Sequence, residues 1–427
     1  MKWHVSSTPV HQKWQPRSRE SRSPVFIASK RLMTQTVSIT PSNPPAQPLA
    51  WLLDICLPYW AEHGVNKEAG SFVECLDHKG RPQREHPTRL RVQARQTYVF
   101  SHAYRISKDE RWAELARMGF EFLTRFGWAD DPGGWVHRLT PAGDVLDDRR
   151  DAYDHAFVLF ALAWYGLSVD KTAAMPWIER SLSFLDAHMT SPDGGFFEER
   201  LAGDGTTNLA PGTTLPRRQN PHMHLLEAFL ALHDLTGDPS MLDRAGQMID
   251  LFKAYFFDQA TGSLAEFFTQ DWQLRDGVEG MLREPGHQFE WVWLLHQYAG
   301  KDHHALAPDY ATSLYQWSIE HGTRDDAGRR IAIDNVLSSG TAKDVSARLW
   351  PQTEMIKAGL IRAHTDDNGT QVAHDAMATL FRHYLDQDTG IWCDQIDAAR
   401  KPVSTTIPAS SLYHIMVAFT EWERLSG

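Results

Sequence analysis

The sequence has little cysteine, no long apolar run and no concentrated positive charge in its body. Three cysteines in 427 residues, Cys56, Cys75 and Cys393, are too few and too scattered for a disulfide framework, and no two have metal-site spacing. That usage fits a reducing cytoplasm, the expected location. No stretch of 18 apolar residues exists, so no membrane span is expected. The formal net charge is −11. Nucleic-acid binding depends on clustered lysine and arginine and is excluded as a function class. A strongly anionic substrate would call for a basic pocket, and none is evident, so a neutral substrate fits better. The pattern His-Glu-x-x-His is missing too, and neither a metal nor a cofactor is expected.

Residues 1–48 differ from the rest. Lys2, Lys13, Arg17, Arg19, Arg22, Lys30 and Arg31 lie among serines, and the segment closes with Pro41-Ser-Asn-Pro-Pro-Ala-Gln-Pro48. A secretory signal needs an apolar centre, which is lacking; a transit peptide would match the basic composition. A disordered extension, with Met33 as an alternative start, is the preferred expectation.

From residue 49 onward helices follow one another, and they are of two kinds. In 111–123, Trp112, Leu115, Ala116, Gly119 and Leu123 form one stripe with charges opposite. Leu242, Ala245, Ile249, Phe252 and Phe256 do the same in 241–257. The segments 153–164, 225–232 and 289–295 are apolar nearly all round, as a buried helix must be. Polar residues recur at the heads of these inner helices: Arg95, His155, His224, His287, Glu354 and His414, separated by 60, 69, 63, 67 and 60 residues. A period of about 64 is one long helical hairpin with its loop. Residues 49–427 are therefore expected to form an all-α catalytic domain, an (α/α)6 barrel of six helical hairpins. The turn signals at Pro132-Gly-Gly-Trp, Pro192-Asp-Gly-Gly and Ala260-Thr-Gly-Ser predict short β-hairpins in the rim loops. An open solenoid and a bundle split into two domains are the alternatives.

Five segments bring chemistry-bearing side chains to that ring. Gly-His287-Gln-Phe-Glu290 puts a histidine and a carboxylate on one helix face, as does Asn220-Pro-His-Met-His224 for an amide and a histidine. Trp350-Pro-Gln-Thr-Glu354, Tyr-His414 and Gln-Ala-Arg95 complete the set. Each alone reads more simply as a satisfied core residue. Together, at one level on apolar helices, they form a stronger signal, because buried charges persist only when paired or useful. Histidine suits proton transfer beside a sugar carbonyl, with an ordinary pKa of about 6.5. Carboxylates can hold its ring, and arginine can stabilise an enediolate oxygen.

In this order the motifs resemble the N-acylglucosamine 2-epimerase superfamily, which includes mannose isomerases, sulfoquinovose isomerases and cellobiose 2-epimerases. The resemblance covers about residues 49–425 and implies the same (α/α)6 barrel. It implies His287 and His414 as general acid and base, and Arg95 at the reacting oxygens. It further implies Asn220 and His224 on one wall, Glu290 and Glu354 orienting histidines or binding hydroxyls, and Trp350 as an aromatic wall. Tyr153 matches a tyrosine contact. Two departures stand out. Ser410 stands where mannose-isomerase-like members carry Gln, and their Arg-Pro-Tyr-Gly stretch is missing, which leaves Arg283 and Arg275 as candidates for its arginine. The expected activity is isomerisation of a free monosaccharide, D-mannose to D-fructose, through a cis-enediol, by a monomer or homodimer. A sugar 2-epimerase is the alternative; a glycoside hydrolase, which works with a carboxylate pair, fits a histidine-rich ring less well, as does a non-catalytic sugar-binding protein.

Overall fold

The structure, a computed structural model, describes residues 44–45, 47–131, 133–200, 216–301, 309–365 and 368–426. Residues 1–43 and 46 of the expected N-terminal extension lie outside the described residues. Among the described residues no helix is long and apolar enough to cross a membrane.

Twelve helices carry the architecture. They are α1 (48–63), α2 (Leu90–Ser107), α3 (Glu110–Phe122), α4 (Ala152–Ser168), α5 (Lys171–Phe184) and α6 (Gln219–Thr236). The second half holds α7 (Pro239–Leu251), α8 (Pro285–Ala299), α9 (Asp309–His321), α10 (Leu349–Arg362), α11 (Gly369–His383) and α12 (Ser411–Ser426). Their starts follow from local chemistry. Asp109, Asp170 and Asp238 accept hydrogen bonds from backbone N–H groups in the first turns of α3, α5 and α7. Pro285 opens α8, where its missing N–H costs nothing. Gly237 ends α6 at φ 70°, the left-handed conformation that glycine adopts freely.

The two kinds of helix separate as their sequences require. Helices α2, α4, α6, α8, α10 and α12 are buried on nearly every side. Each contacts the next, and α12 returns to α2. A second helix covers each of them: α3 on α2, α5 on α4, α7 on α6, α9 on α8, α11 on α10, and α1 on α12. Trp112, Ala116, Gly119 and Leu123 form the buried stripe of an outer helix; Leu115 is only half-buried.

Short antiparallel strands tie the hairpins together. A strand stands just before each inner helix and pairs with one from the loop after its covering helix. Thr88–Arg89 pairs with Arg138–Leu139, Arg217–Arg218 with Phe267–Phe268, and Ala347–Arg348 with Gln395–Ile396. Thr406–Pro408 pairs with Cys75–Asp77, joining the last inner helix to the loop after α1. Small hairpins occur in the loops as expected, among them Phe257–Asp258 with Ser263–Leu264, around the anticipated turn.

A recurring side-chain clamp fixes five of the six inner helices to the preceding loop. Gln93, His155, His222, Gln288 and Gln352 accept hydrogen bonds from the backbone N–H of Phe72, Trp135, Phe196, Leu264 and Ala332. The clamps lie 62, 67, 66 and 64 residues apart. His155 therefore has a structural job. It is wholly buried, its Nδ1 bonds the Asp151 carbonyl, and burial lowers its pKa to about 4. Its expected place on the central cavity is corrected accordingly.

Removing one clamp exposes its worth. Gln352 both accepts from Ala332 N–H and donates to Ala332 O at 2.8 Å. The Gln352→Ala substitution leaves both groups buried without partners and is expected to destabilise the fold by roughly 2–4 kcal/mol. A urea-denaturation midpoint equal to that of the unmodified protein would contradict the clamp's role.

Candidate active site

The heads of the inner helices converge on a cavity of about 390 Å³. Eight of the nine candidates line it: Arg95, Tyr153, Asn220, His224, His287, Glu290, Trp350 and His414. The ninth, Glu354, is wholly buried behind His414. The clamp series explains this convergence. Two residues after a clamp stand Arg95, His224, Glu290 and Glu354; two before stand Tyr153, Asn220 and Trp350. On a helix such neighbours lie one turn apart on one face, here the face toward the axis.

Each of the two key histidines is held by a carboxylate on Nδ1. His287 Nδ1 donates to Glu266 Oε2 at 3.0 Å, and Glu284 Oε2 lies 3.8 Å away. His414 Nδ1 donates to Glu354 Oε1 at 2.9 Å. Fixing the Nδ1 hydrogen in this way leaves Nε2 as the reactive position. Trp350 stands against both rings, with centroids 5.1 Å from His287 and 5.5 Å from His414. Gly286 makes room for it, since a Cβ there would fall 2.4 Å from the indole. The side-chain amide of Asn220 lies 3.2 Å from His287 Nε2.

The two environments pull the histidines apart. Burial lowers the proton affinity of both. At His287 the carboxylates of Glu266 and Glu284 overcome that penalty and raise the pKa to about 9. At His414 burial wins: Glu354 opposes it, but the cations Arg95 and Lys357 reinforce it, and the pKa falls to about 4. At neutral pH one ring is an acid and the other a base, the division that acid–base chemistry needs.

Arg95 is nearly buried yet has no carboxylate partner among the described residues. It donates to Tyr153 Oη at 2.8 Å and lies 4.0 Å over the Phe157 ring, and its Nε is unpaired. A buried cation so placed is available to an oxygen that gains negative charge. His224 bonds Glu227 at 3.2 Å, and burial together with Arg95 holds its pKa well below the usual value. Burial and the nearby Glu354 charge push Glu290 well above the ordinary carboxylate range. Neither of its oxygens has a hydrogen-bond partner among the described residues, so its carboxyl group faces the cavity ready to bond a hydroxyl.

Arg89, Glu284, Arg348, Asp394, Ser410 and Ser411 also line the cavity. Of these, sequence reasoning singled out only Ser410. Arg283 and Arg275 do not line it: Arg283 is buried against Ser263 and Asp258, and Arg275 pairs with Glu279 near the surface. Glu266 was also missed, and a repeat would have found it. Two residues after each clamped loop position stand Glu74, His137, Glu198, Glu266 and Asp334. Glu74, Glu198 and Asp334 accept from the backbone N–H of Arg89, Arg218 and Arg348 and pair with those guanidinium groups. Glu266 accepts from Glu284 N–H in the same way, but no arginine stands there. Its other oxygen accepts from both His287 Nδ1 and Gln219 Nε2.

By distance alone three groups among the described residues could hold a cation: His137 with Asp151 and Asp154, His224 with Glu227 and Glu290, and His287 with Glu266 and Glu284. In each the histidine Nδ1 already bonds a carboxylate. The donor sets fit paired acid–base groups better than a metal.

Comparison with known proteins gives the family and the fold. The chain is 34% identical over 385 residues to "Mannose-6-phosphate isomerase" of Rhizobium meliloti (strain 1021), spanning 87% of this chain and 95% of that protein. It is 24% identical over 346 residues to "Cellobiose 2-epimerase" of Bacteroides fragilis, spanning 79% and 86%. A solved D-mannose isomerase shares the fold at TM-score 0.77 and 22% identity, over 89% of this chain and 99% of that one. The class is that of enzymes that isomerise or epimerise sugars. The profile of the N-acylglucosamine 2-epimerase (GlcNAc 2-epimerase) family matches residues 70–418, and the chain belongs to that family.

Glu266 offers a direct check on the histidine pair. Replacing Glu266 with Gln removes the charge that raises His287, so the basic limb of the kcat/KM profile should move from about 9 downward by about 1–3 pH units. The acidic limb should stay in place. A basic limb that does not move would detach it from His287.

Proposed function

We propose that this protein is an aldose–ketose isomerase for a free, neutral monosaccharide, converting D-mannose to D-fructose within an (α/α)6 barrel. The barrel takes in residues 49–427, with residues 1–48 as an extension, in a cytoplasmic monomer or homodimer. The cycle of inner helix contacts, each with a covering helix, supports the barrel. One observation carries the activity: two carboxylate-backed histidines flank one aromatic wall in a polar cavity.

The chemistry follows from that pair. Neutral His414 removes the proton from C2 of the open-chain sugar. Protonated His287 donates to the carbonyl oxygen at C1, and the cis-enediol forms. Arg95 stabilises the charge that develops on the oxygens. His414 returns its proton to C1 while O2 gives its proton to His287, and the ketose is complete. Both histidines end in the states in which they began. Trp350 lies against a sugar face, and Asn220, His224, Glu290 and Tyr153 bind hydroxyls, with Glu290 donating from its protonated carboxyl. Glu354 works through His414.

The charge around the cavity favours a neutral sugar over a phosphorylated one. Arg89 and Arg348 line it, but each is bound to a carboxylate, and Glu284, Glu290 and Asp394 stand among them. The relatives named as a mannose-6-phosphate isomerase and a D-mannose isomerase favour return of the proton to C1. Epimerisation is the second reading. Cationic His287 opposite His414 could deliver a proton to the other face of C2.

Incubation in D2O separates these outcomes. With D-mannose, deuterium should appear at C1 of fructose by NMR, and mannose 6-phosphate should turn over far more slowly. Label confined to C2 of an aldose would make the protein an epimerase. No label and no new sugar product with any hexose or N-acylhexosamine would contradict proton transfer altogether. The His287→Ala and His414→Ala substitutions should each lower kcat by about 10²–10⁴ with the helical circular-dichroism signal unchanged.

A further inference from the structure

Each of the five clamped inner helices carries a residue in the same register five positions after its clamp. These residues are Tyr98, Phe160, Glu227, Trp293 and Lys357. Lys357 is a wholly buried lysine, a costly choice unless its charge is used. Its Nζ lies 2.5 Å from Glu354 Oε2 and 4.0 Å over the Trp293 ring. Three buried carboxyl groups share this single cation: Glu354 on its own helix α10, Glu290 on α8 and Glu227 on α6.

We infer that Lys357 is a positioning residue that selects which of these three buried carboxyl groups carries the negative charge. It places that charge on Glu354, directly behind His414. The inference rests on the proposed role of His414 as the base.

The geometry carries this. Only Glu354 touches Lys357 as an ion pair, and the opposite oxygen of the same carboxylate holds His414 Nδ1. Glu227 is occupied by Tyr413 Oη at 2.6 Å and by His224. Glu290 has no hydrogen-bond partner among the described residues, a poor setting for an ion. The remaining charged and titratable groups around the pair are Arg95 from α2, His224 from α6, His287 from α8 and Tyr413 from α12. The shifts run the same way: burial raises all three carboxyl groups, and Lys357 with His414 reverses this at Glu354 alone. The pair Lys357 and Glu354 is neutral as a unit, so His414 sits beside a fixed carboxylate without being drawn into becoming a cation. A carboxylate without the lysine would pull a proton onto the His414–Glu354 pair at higher pH.

The test is the pH profile of kcat/KM with D-mannose for the full-length protein and two variants. Removing the cation by Lys357→Met should move the acidic limb from about 4 upward by one pH unit or more. It should also lower kcat by about tenfold or more, with KM changed less than about twofold. Lys357→Arg keeps the charge and should keep the limb near its original place, even if kcat falls. A structural lysine would change thermal stability and leave the limb where it was, and that result overturns the inference. Infrared difference spectra at neutral pH give a second reading that needs no turnover. Glu290→Gln should remove a protonated-carboxyl C=O band, and Glu354→Gln should remove an ionised carboxylate band. The reverse assignment overturns the inference even if Lys357→Met does not fold. Absence of turnover by the unmodified enzyme on any aldose would instead sink the proposed function and leave the infrared result standing.

Discussion

Everything at the centre of this protein depends on holding ionised groups away from water. A buried charge is tolerated only beside a partner, so the space between the inner helices has to be built as a set of pairs. His287 stands on Glu266, His414 on Glu354, and Glu354 on Lys357. Arg95 is the exception: it rests on aromatic faces and Tyr153 without a carboxylate partner among the described residues. A group left unpaired at such a cost marks the place where a substrate's charge belongs.

The repeat supplies these pairs economically. In three hairpins a loop carboxylate caps the backbone at the head of the next inner helix and binds an arginine there. At Glu266 the arginine is replaced by Glu284, and the same carboxylate turns to His287. One change in a structural series thus turns a fold-stabilising ion pair into the support of the histidine proposed as the acid. The added negative charge of Glu284 works in the same direction, which is why His287 stays protonated while His414 does not.

Much of this was legible in the sequence. The alternation of amphipathic and all-apolar helices, the period near 64 residues and seven of the eight cavity-lining candidates follow from residue patterns that packing obeys; Tyr153 follows only from the family resemblance. The misplacement of His155 has one cause. The sequence series treated His155 and His287 as equivalent to Arg95, although His155 is a clamp and His287 lies one residue after the Tyr153–Asn220–Trp350 register. Helical neighbours one or two residues apart point to different faces, and only the clamps reveal which register faces the axis. Glu266 and Lys357 escaped for another reason. A glutamate in a loop and a lysine in a helix read as solvated charges until the hairpins around them close, and the partners that bury them come from other repeats.

The central claim is that the two histidines hold opposite charge at neutral pH. The most direct measurement is a ¹⁵N-histidine NMR titration of the unmodified enzyme, with the 287 and 414 rings assigned by substitution. At pH 7 the His287 ring should be an imidazolium, and His414 should be neutral with its proton on Nδ1. Finding both rings in the same protonation state between about pH 5 and pH 8 would contradict the division of labour between them.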